Sequence, residues 1–444
     1  MKSRLILMWL LLGLGSQLQV VASLSITEGL VLMLAPVLFF KSIGDMRRDG
    51  VYTFFILSLL VFLGCVLACW ANATPFDLAL RGYAVTSLIP CSIVVGHWLL
   101  RRNPSGFKWF LVGGMMSGVV STFVFQKSVE VSMLANGADG AAAAEAIMSG
   151  PIFWINRLSP LVTLPTKGWY LVTPIWFDLL AVGFMAVFSL LTSISGRAAS
   201  LSFFAFAMLL LIGGKTRRSM SQLGRKFWLW VFLGVVFVAM AHAGYRVAAV
   251  NGLLGEEGRR KYELQSQGSE SVGRLLLGGR AESFIGLLAC RDKPIVGWGP
   301  WAMDTDGYRA EFINRFGTTE DIIELKQRQE WQIKNGFSSF VCLIPCHSQI
   351  VEFWCWYGIC GLVFWLYVIW VFLRYVRQDA WVVPQWYAWL ACSLPGVFWG
   401  IFFSPFADRF GLPLLVVASL MARAVRRGRF ELPLSMMSEI EMKA

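Results

Sequence analysis

The sequence predicts an all-α polytopic membrane protein with about twelve transmembrane helices and one large extracytoplasmic loop domain. Three observations predict it. Hydrophobic residues make up 57% of the 444-residue chain and charged residues only 15%, where soluble domains carry roughly a quarter charged. Apolar runs near the ~20 residues that cross a bilayer recur along the chain. Lys and Arg collect in short hinges between those runs, as the positive-inside rule requires of cytoplasmic loops. Helices follow rather than a barrel, because runs such as 54–70 do not alternate in polarity as barrel strands do.

Taken in order, Lys2 and Arg4 precede the apolar Leu5 to Leu14 in the manner of a signal peptide, with Val20 to Ser23 as a candidate cleavage site. A second apolar run starts almost at once, so an uncleaved first span over 5–23 is the expectation. Further spans are expected at 26–40, 51–70, 79–100, 108–126, 174–193, 198–213, 227–245, 357–373, 384–404 and 411–423. The basic hinges around Lys41/Arg47/Arg48, Arg101/Arg102/Lys108, Lys215/Arg217/Arg218/Arg225/Lys226, Arg374/Arg377 and Arg423/Arg426/Arg427/Arg429 then lie on the cytoplasmic side, and the Lys- and Arg-free Ala71 to Leu78 on the outer side. One crossing is missing between the hinges at Arg101 and Lys215. A weak extra pass within 137–172 repairs the count, although Gly, Pro, Glu145 and Arg157 interrupt it. Both termini are then cytoplasmic and Ser195-Gly196-Arg197 lies outside.

The chain accordingly divides into an N-terminal transmembrane bundle over 1–245 with about eight or nine spans, a large periplasmic loop domain over 246–346, C-terminal transmembrane helices over 347–430 and a cytoplasmic tail over 431–444. Acidic and basic residues nearly balance in 246–340, and a loop of that length translocates regardless of charge. Within it, Ser269 to Ala289 reads as an amphipathic helix through Leu275, Leu276, Phe284, Ile285 and Leu288. Thr318-Thr319-Glu320-Asp321 resembles a capping box opening a second helix, in which Glu324 and Arg328 make an i,i+4 pair. Asp292-Lys293-Pro294 and Gly297-Trp298-Gly299-Pro300 are turn chemistry.

The net charge of +12 invites a nucleic-acid partner, but its placement in membrane hinges excludes that reading; the lipid bilayer is the partner it implies. The nine cysteines show no CxxC spacing. Cys65, Cys69, Cys91, Cys360 and Cys392 lie in apolar runs and read as small buried hydrophobes. Cys290, Cys342 and Cys346 lie in or beside the polar stretch, which leaves one disulfide open if that side is oxidising.

His347 has the surroundings of a site. It is one of three histidines, it stands where the polar domain returns to the membrane, and Ser348 and Gln349 follow it. An imidazole there is placed to accept a proton from a hydroxyl. His97 and His242 lie in apolar runs and read as packed polar residues. Arg197 is a lone cation in a small-residue turn at the outer interface, where an unpaired charge is costly; its plainer reading is a snorkelling arginine. Arg280 sits in Gly278-Gly279-Arg280 with Arg274 six residues earlier. Converging guanidinium groups suit a pyrophosphate, and a solvated helix face with Glu282 as partner is the plainer account. Asp304-Thr305-Asp306 has the spacing with which two carboxylates share a hard cation. No further carboxylate cluster supports it, so no metal is assigned.

Together these features resemble the O-antigen ligase and polymerase superfamily of bacterial inner-membrane glycosyltransferases. Pro294, Gly297 and Gly299 match that family's Pro-x-x-Gly-x-Gly turn, and Gly358 and Gly361 stand eleven and fourteen residues after His347, as its Gly-x-x-Gly pair does. Leu191 to Ala198 is similar to its Thr-x-Ser-Arg-Gly segment, and Gly279-Arg280 to the arginine before the turn. Ser348 stands in place of the usual Asn, and Trp356 where many members carry Glu. The resemblance covers about 174–375. It implies transfer of a glycan from undecaprenyl pyrophosphate to an acceptor hydroxyl of a glycan or glycolipid, on the periplasmic side of the inner membrane. The reaction so implied is inverting, with no metal or other cofactor; Arg197, Arg280 and Arg274 hold the pyrophosphate, His347 activates the acceptor, and Ser348 supports it. The alternative is a transporter or flippase of lipid-linked glycans, with the arginines along a pathway. The absence of an internal repeat and the gathering of charge in one outer domain speak against it.

Overall fold

The computed structural model describes residues 2–16, 19–21, 24–114, 116–117, 246–247, 250–251, 262, 281–316, 343–379, 382–403 and 409–431. These are mostly helical. In chain order they form α1 (Lys2–Leu14), a short antiparallel hairpin of β1 (Gln19–Val21) and β2 (Leu24–Ser25), α2 (Ile26–Asp49), α3 (Tyr52–Ala71), α4 (Phe76–Arg102), α5 (Ala281–Asp292), α6 (Tyr308–Phe316), α7 (Gln349–Tyr357), α8 (Ile359–Arg374), α9 (Pro384–Phe403) and α10 (Gly411–Arg426). A π-helical turn, Tyr375–Asp379, continues α8.

Among the described residues four helices are long and apolar enough to cross a membrane: α2, α3, α4, and α8 with its π turn. The chain is a helical membrane protein. Each matches an expected span, but α2 runs on to Asp49, well past the apolar run that ends at residue 40. Helical hydrogen bonding does not stop where hydrophobicity does. Lys41, Asp45, Arg47 and Arg48 extend the helix, and Gly50, at φ 80°, ends it by donating to the carbonyls of Met46 and Arg47.

The first expected span, 5–23, is corrected. Its helix ends at Leu14, so α1 has 13 residues, about 20 Å of rise. The chain then turns, with the Ser16 hydroxyl donating to the Gly13 carbonyl at 2.7 Å, and enters the hairpin that leads to α2. Ser25 caps α2 in a reciprocal box: its Oγ accepts from the Glu28 N–H at 3.2 Å, and Glu28 Oε2 accepts from the Ser25 N–H at 2.7 Å. The spans expected at 174–193, 198–213 and 227–245, the weak pass within 137–172 and the end of 108–126 lie outside the described residues.

In the bundle, α2 and α3 both pack on α4, α10 packs on α4, and α8 packs on α3. Lipid is as apolar as the side chains it touches, so close packing and interhelical polar contacts hold these helices together. Phe54 of α3 stacks on Phe364 of α8 with ring centroids 5.5 Å apart. At one end of the bundle His97 Nε2 lies 3.0 Å from Asp49 Oδ2, both side chains are fully buried, and Arg101 bonds the same oxygen while its Nε reaches Asp45 at 3.0 Å. At that same end, where Arg101 lies over the Phe430 ring, Asp379 takes Arg426 at 2.8 Å and Arg374 at 4.0 Å. The C-termini of α2, α4, α8 and α10 therefore share one end of the bundle. The opposite end carries the start of α2, the turn after α3 and the module built by α5, α6 and α7.

Candidate functional site

That module is joined to the bundle by backbone. The turn Pro294 to Pro300 lies across the kink between α7 and α8: Trp298 N–H donates to the Cys355 carbonyl at 2.7 Å, Gly299 N–H to Trp356 at 3.0 Å, and Ile359 N–H returns to Ile295 at 3.0 Å. Gly297, Gly299 and Gly358 have φ of 81°, 85° and 62°, the left-handed region that favours glycine. The approach is as demanding as the dihedrals. A Cβ on Gly358 would lie 1.9 Å from the Ile295 oxygen, and one on Gly361 2.2 Å from the Phe353 oxygen. The same turn rests on the end of α3, where Asn72 Nδ2 donates to the Gly297 carbonyl at 3.0 Å and Lys293 bonds Asn72 Oδ1 while its ammonium sits 3.7 Å from the Trp298 ring centre. The two glycine motifs, sixty residues apart in sequence, thus form one joint.

His347 stands at the opposite end of α7 from this joint, just before the helix begins. It is exposed, and its Nδ1 lies 3.9 Å from Glu282 Oε2 on the first turn of α5. Ser348 is buried and does something different. It is the N-cap of α7, with Oγ accepting from Val351 N–H at 3.4 Å and donating to the Ile401 carbonyl of α9 at 2.9 Å. The hydroxyl therefore docks α7 onto the bundle, a positioning role one residue from the imidazole. Gln349 lies against α9 beside it, its amide nitrogen 2.9 Å from where a Cβ on Gly400 would be.

At this end of the bundle the interior holds polar groups. Arg409 pairs with Glu28 at 3.2 Å, both side chains mostly buried, and its backbone carbonyl accepts from Ser92 Oγ at 3.0 Å. Tyr357 is fully buried, with Glu352 and Arg409 as the charged groups that act on its hydroxyl. Tyr357 Oη, Arg409 Nε and Gln349 Oε1 are buried without a hydrogen-bond partner. Groups of this kind are costly to bury unused.

No family model, curated protein or solved structure matches this chain.

Of the residues singled out from sequence, the structure brings Pro294, Gly297, Gly299, Gly358 and Gly361 together at the joint, and places His347 and Ser348 at the other end of α7, beside α5 and α9. Arg197, Arg274 and Arg280 lie outside the described residues, as does Cys342. Asp304 is a cap rather than a ligand: Oδ1 accepts from Tyr308 N–H at 2.7 Å and Oδ2 from Arg309 N–H at 2.9 Å, opening α6. Asp306 instead accepts from the Tyr308 hydroxyl at 3.3 Å, and that hydroxyl also reaches Asp292 at 2.8 Å. The Arg291 guanidinium and then the Tyr308 hydroxyl hold the Asp292 carboxyl below the usual range. Burial first, and Asp292 second, push the Tyr308 phenol up. Among the described residues no three metal-binding side chains converge.

Sequence reasoning named Glu282 only as a partner for Arg280, and missed Glu28, Glu352 and Arg409. A signal for two of these was present. Glu28 is the lone acid in the apolar stretch 5–40, and Arg409 breaks the expected pattern as a cation in an outer hinge.

Proposed function

We propose that the chain is a membrane glycosyltransferase of the O-antigen ligase or polymerase type, moving a glycan from undecaprenyl pyrophosphate to an acceptor hydroxyl at the periplasmic side of the bacterial inner membrane. The observation that carries this reading is the joint. Pro294 to Gly299 and Gly358 to Gly361 are the segments on which the resemblance rests, and they meet backbone to backbone at one end of α7, with His347 at the other. A soluble role is unsuited to a chain whose apolar helices cross a membrane.

In this reading the acceptor hydroxyl binds against the exposed His347, with Glu282 on the Nδ1 side of the ring. The acceptor oxygen attacks the anomeric carbon, its proton passes to the imidazole, and the bond to the lipid pyrophosphate breaks with both electrons going to the leaving phosphate. One displacement inverts the anomeric configuration. Arg197, Arg274 and Arg280 are the cations assigned to the pyrophosphate, where fixed guanidinium donors stabilise the charge that develops. The reaction so written takes a lipid-linked glycan donor and a glycan or glycolipid acceptor, and calls on no metal or other cofactor.

The test supplies the purified full-length protein with an undecaprenyl-pyrophosphate glycan and candidate acceptors, with and without EDTA. Transfer is expected in both, and His347→Ala is expected to lower it by a factor of about 10² to 10⁴. Full transfer by the variant removes His347 from the mechanism. Movement of the lipid-linked glycan across vesicles with no transfer replaces the proposal by the flippase reading.

A further inference from the structure

Three cysteines from three sequence positions meet where α5 packs on α7. Cys290 is fully buried on α5, Cys355 is fully buried on α7, and Cys346 is partly exposed just before His347. The Cys355 thiol hydrogen-bonds to both of the others. The helix faces explain the meeting. Gly286 brings the α5 backbone against α7 so closely that a Cβ there would lie 2.8 Å from both Cys346 Sγ and Val351 Cγ1. Residues four apart share a helix face, so Cys290 follows Gly286 and Cys355 follows Val351 along the same contact. Cys290 Sγ lies 3.9 Å from the Val351 carbonyl.

We infer that Cys290 and Cys355 form a disulfide tying α5 to α7. The oxidant is a protein disulfide carrier of the oxidising compartment, the class that supplies disulfides to extracytoplasmic proteins. The Cys355 thiolate attacks one sulfur of the carrier disulfide and the carrier's first thiolate leaves. Cys290 then attacks Cys355 Sγ, forming Cys290–Cys355 and releasing the carrier as a dithiol that keeps the two protons. Both residues are fully buried where α5 packs on α7, so the bond is shielded from reductants once made. Cys290 and Cys346 hold the Cys355 thiol down, to about 5, against the opposing effect of burial, while the Cys346 thiol is itself pushed up. Cys355 is therefore the attacking thiolate.

The inference rests on the proposed periplasmic placing of this module, which sets the oxidant. Full-length protein in its native membranes is quenched in acid, denatured and treated with a maleimide mass tag. Of the nine thiols, seven are expected to react, and all nine after reduction. Peptide mapping is expected to return a Cys290–Cys355 link. Cys355→Ser and Cys355→Ala are each expected to show eight reactive thiols without reductant. Cys346→Ser is expected to keep the link and to show six reactive thiols without reductant, the wild-type seven less the one removed. Nine reactive thiols in the wild type, a link between other cysteines, or a disulfide retained in the Cys355 variants overturns the site. The count needs no glycan transfer. Transfer with nine free thiols removes only the disulfide, and a disulfide without transfer removes only the proposed enzyme.

Discussion

The carbonyl oxygen of Ile295 occupies the position a side chain on Gly358 would need: a Cβ there would lie 1.9 Å away, and the next residue's N–H donates to that oxygen at 3.0 Å. Neither partner can yield by a rotamer change, because both are backbone. Gly358→Ala adds the strain of a positive φ to that clash and is expected to destabilise by about 3 kcal/mol or more. Thermal unfolding in detergent checks it. A midpoint within a degree or two of wild type means that the joint is not built this way.

Ser348→Ala removes an acceptor for Val351 N–H and a donor to Ile401 at once. A loss of about 1–2 kcal/mol is expected from the cap. If the residue positions the helix, Ser348→Thr restores most of the stability, read by thermal unfolding in detergent. A Ser348→Thr midpoint no higher than that of Ser348→Ala contradicts the positioning role.

Glu28 and Arg409 make one pair and should behave as one. Arg409→Met leaves a mostly buried carboxylate without its cation, a change expected to cost about 3 kcal/mol. Glu28→Gln keeps a side-chain acceptor for the Ser25 N–H, so the double variant is expected to recover a good part of the loss. A double-mutant cycle on thermal stability should give a coupling of about 1–3 kcal/mol. Strict additivity rules out the contact.

The hydrogen bond from Tyr308 to Asp292 gives the module of α5, α6 and α7 a pH window. Asp292 has its folded value depressed by Arg291 and Tyr308, so its contribution is present above the ordinary carboxylate range and disappears as pH falls through the lowered value. Tyr308 is raised by burial and by Asp292, so its contribution is intact below about 10 and is lost as pH rises beyond the ordinary phenol value. Tyr308→Phe should flatten the alkaline limb of a stability profile and Asp292→Asn the acid one. Unchanged limbs in both variants contradict the assignment.

Hydrophobic pattern made α3, α4 and α8 legible almost to their ends, because residues that face lipid or core on every side leave no ambiguity about helix. It misplaced the end of α2 and the whole of α1. Pattern registers where lipid stops, whereas hydrogen bonding and a Gly50 cap decide where the helix stops. In the site, glycines and His347 were visible through their spacing. What spacing does not carry is which backbone they meet: Gly358 and Ile295 are far apart in sequence, and a burial such as that of Arg409 beside Glu28 depends on α2 and α10 lying side by side. Asp304 shows that spacing alone does not assign a role: it fits a metal pair and serves a helix start.

The joint also decides which parts of the chain are free to diverge. Contacts made by carbonyls and N–H groups are blind to side-chain identity, so the joint itself depends on Gly297, Gly299 and Gly358 rather than on the side chains around them. The chain that follows is held differently: Trp301 packs on Trp356 and Tyr308 bonds Asp292, so there a change of side chain is felt.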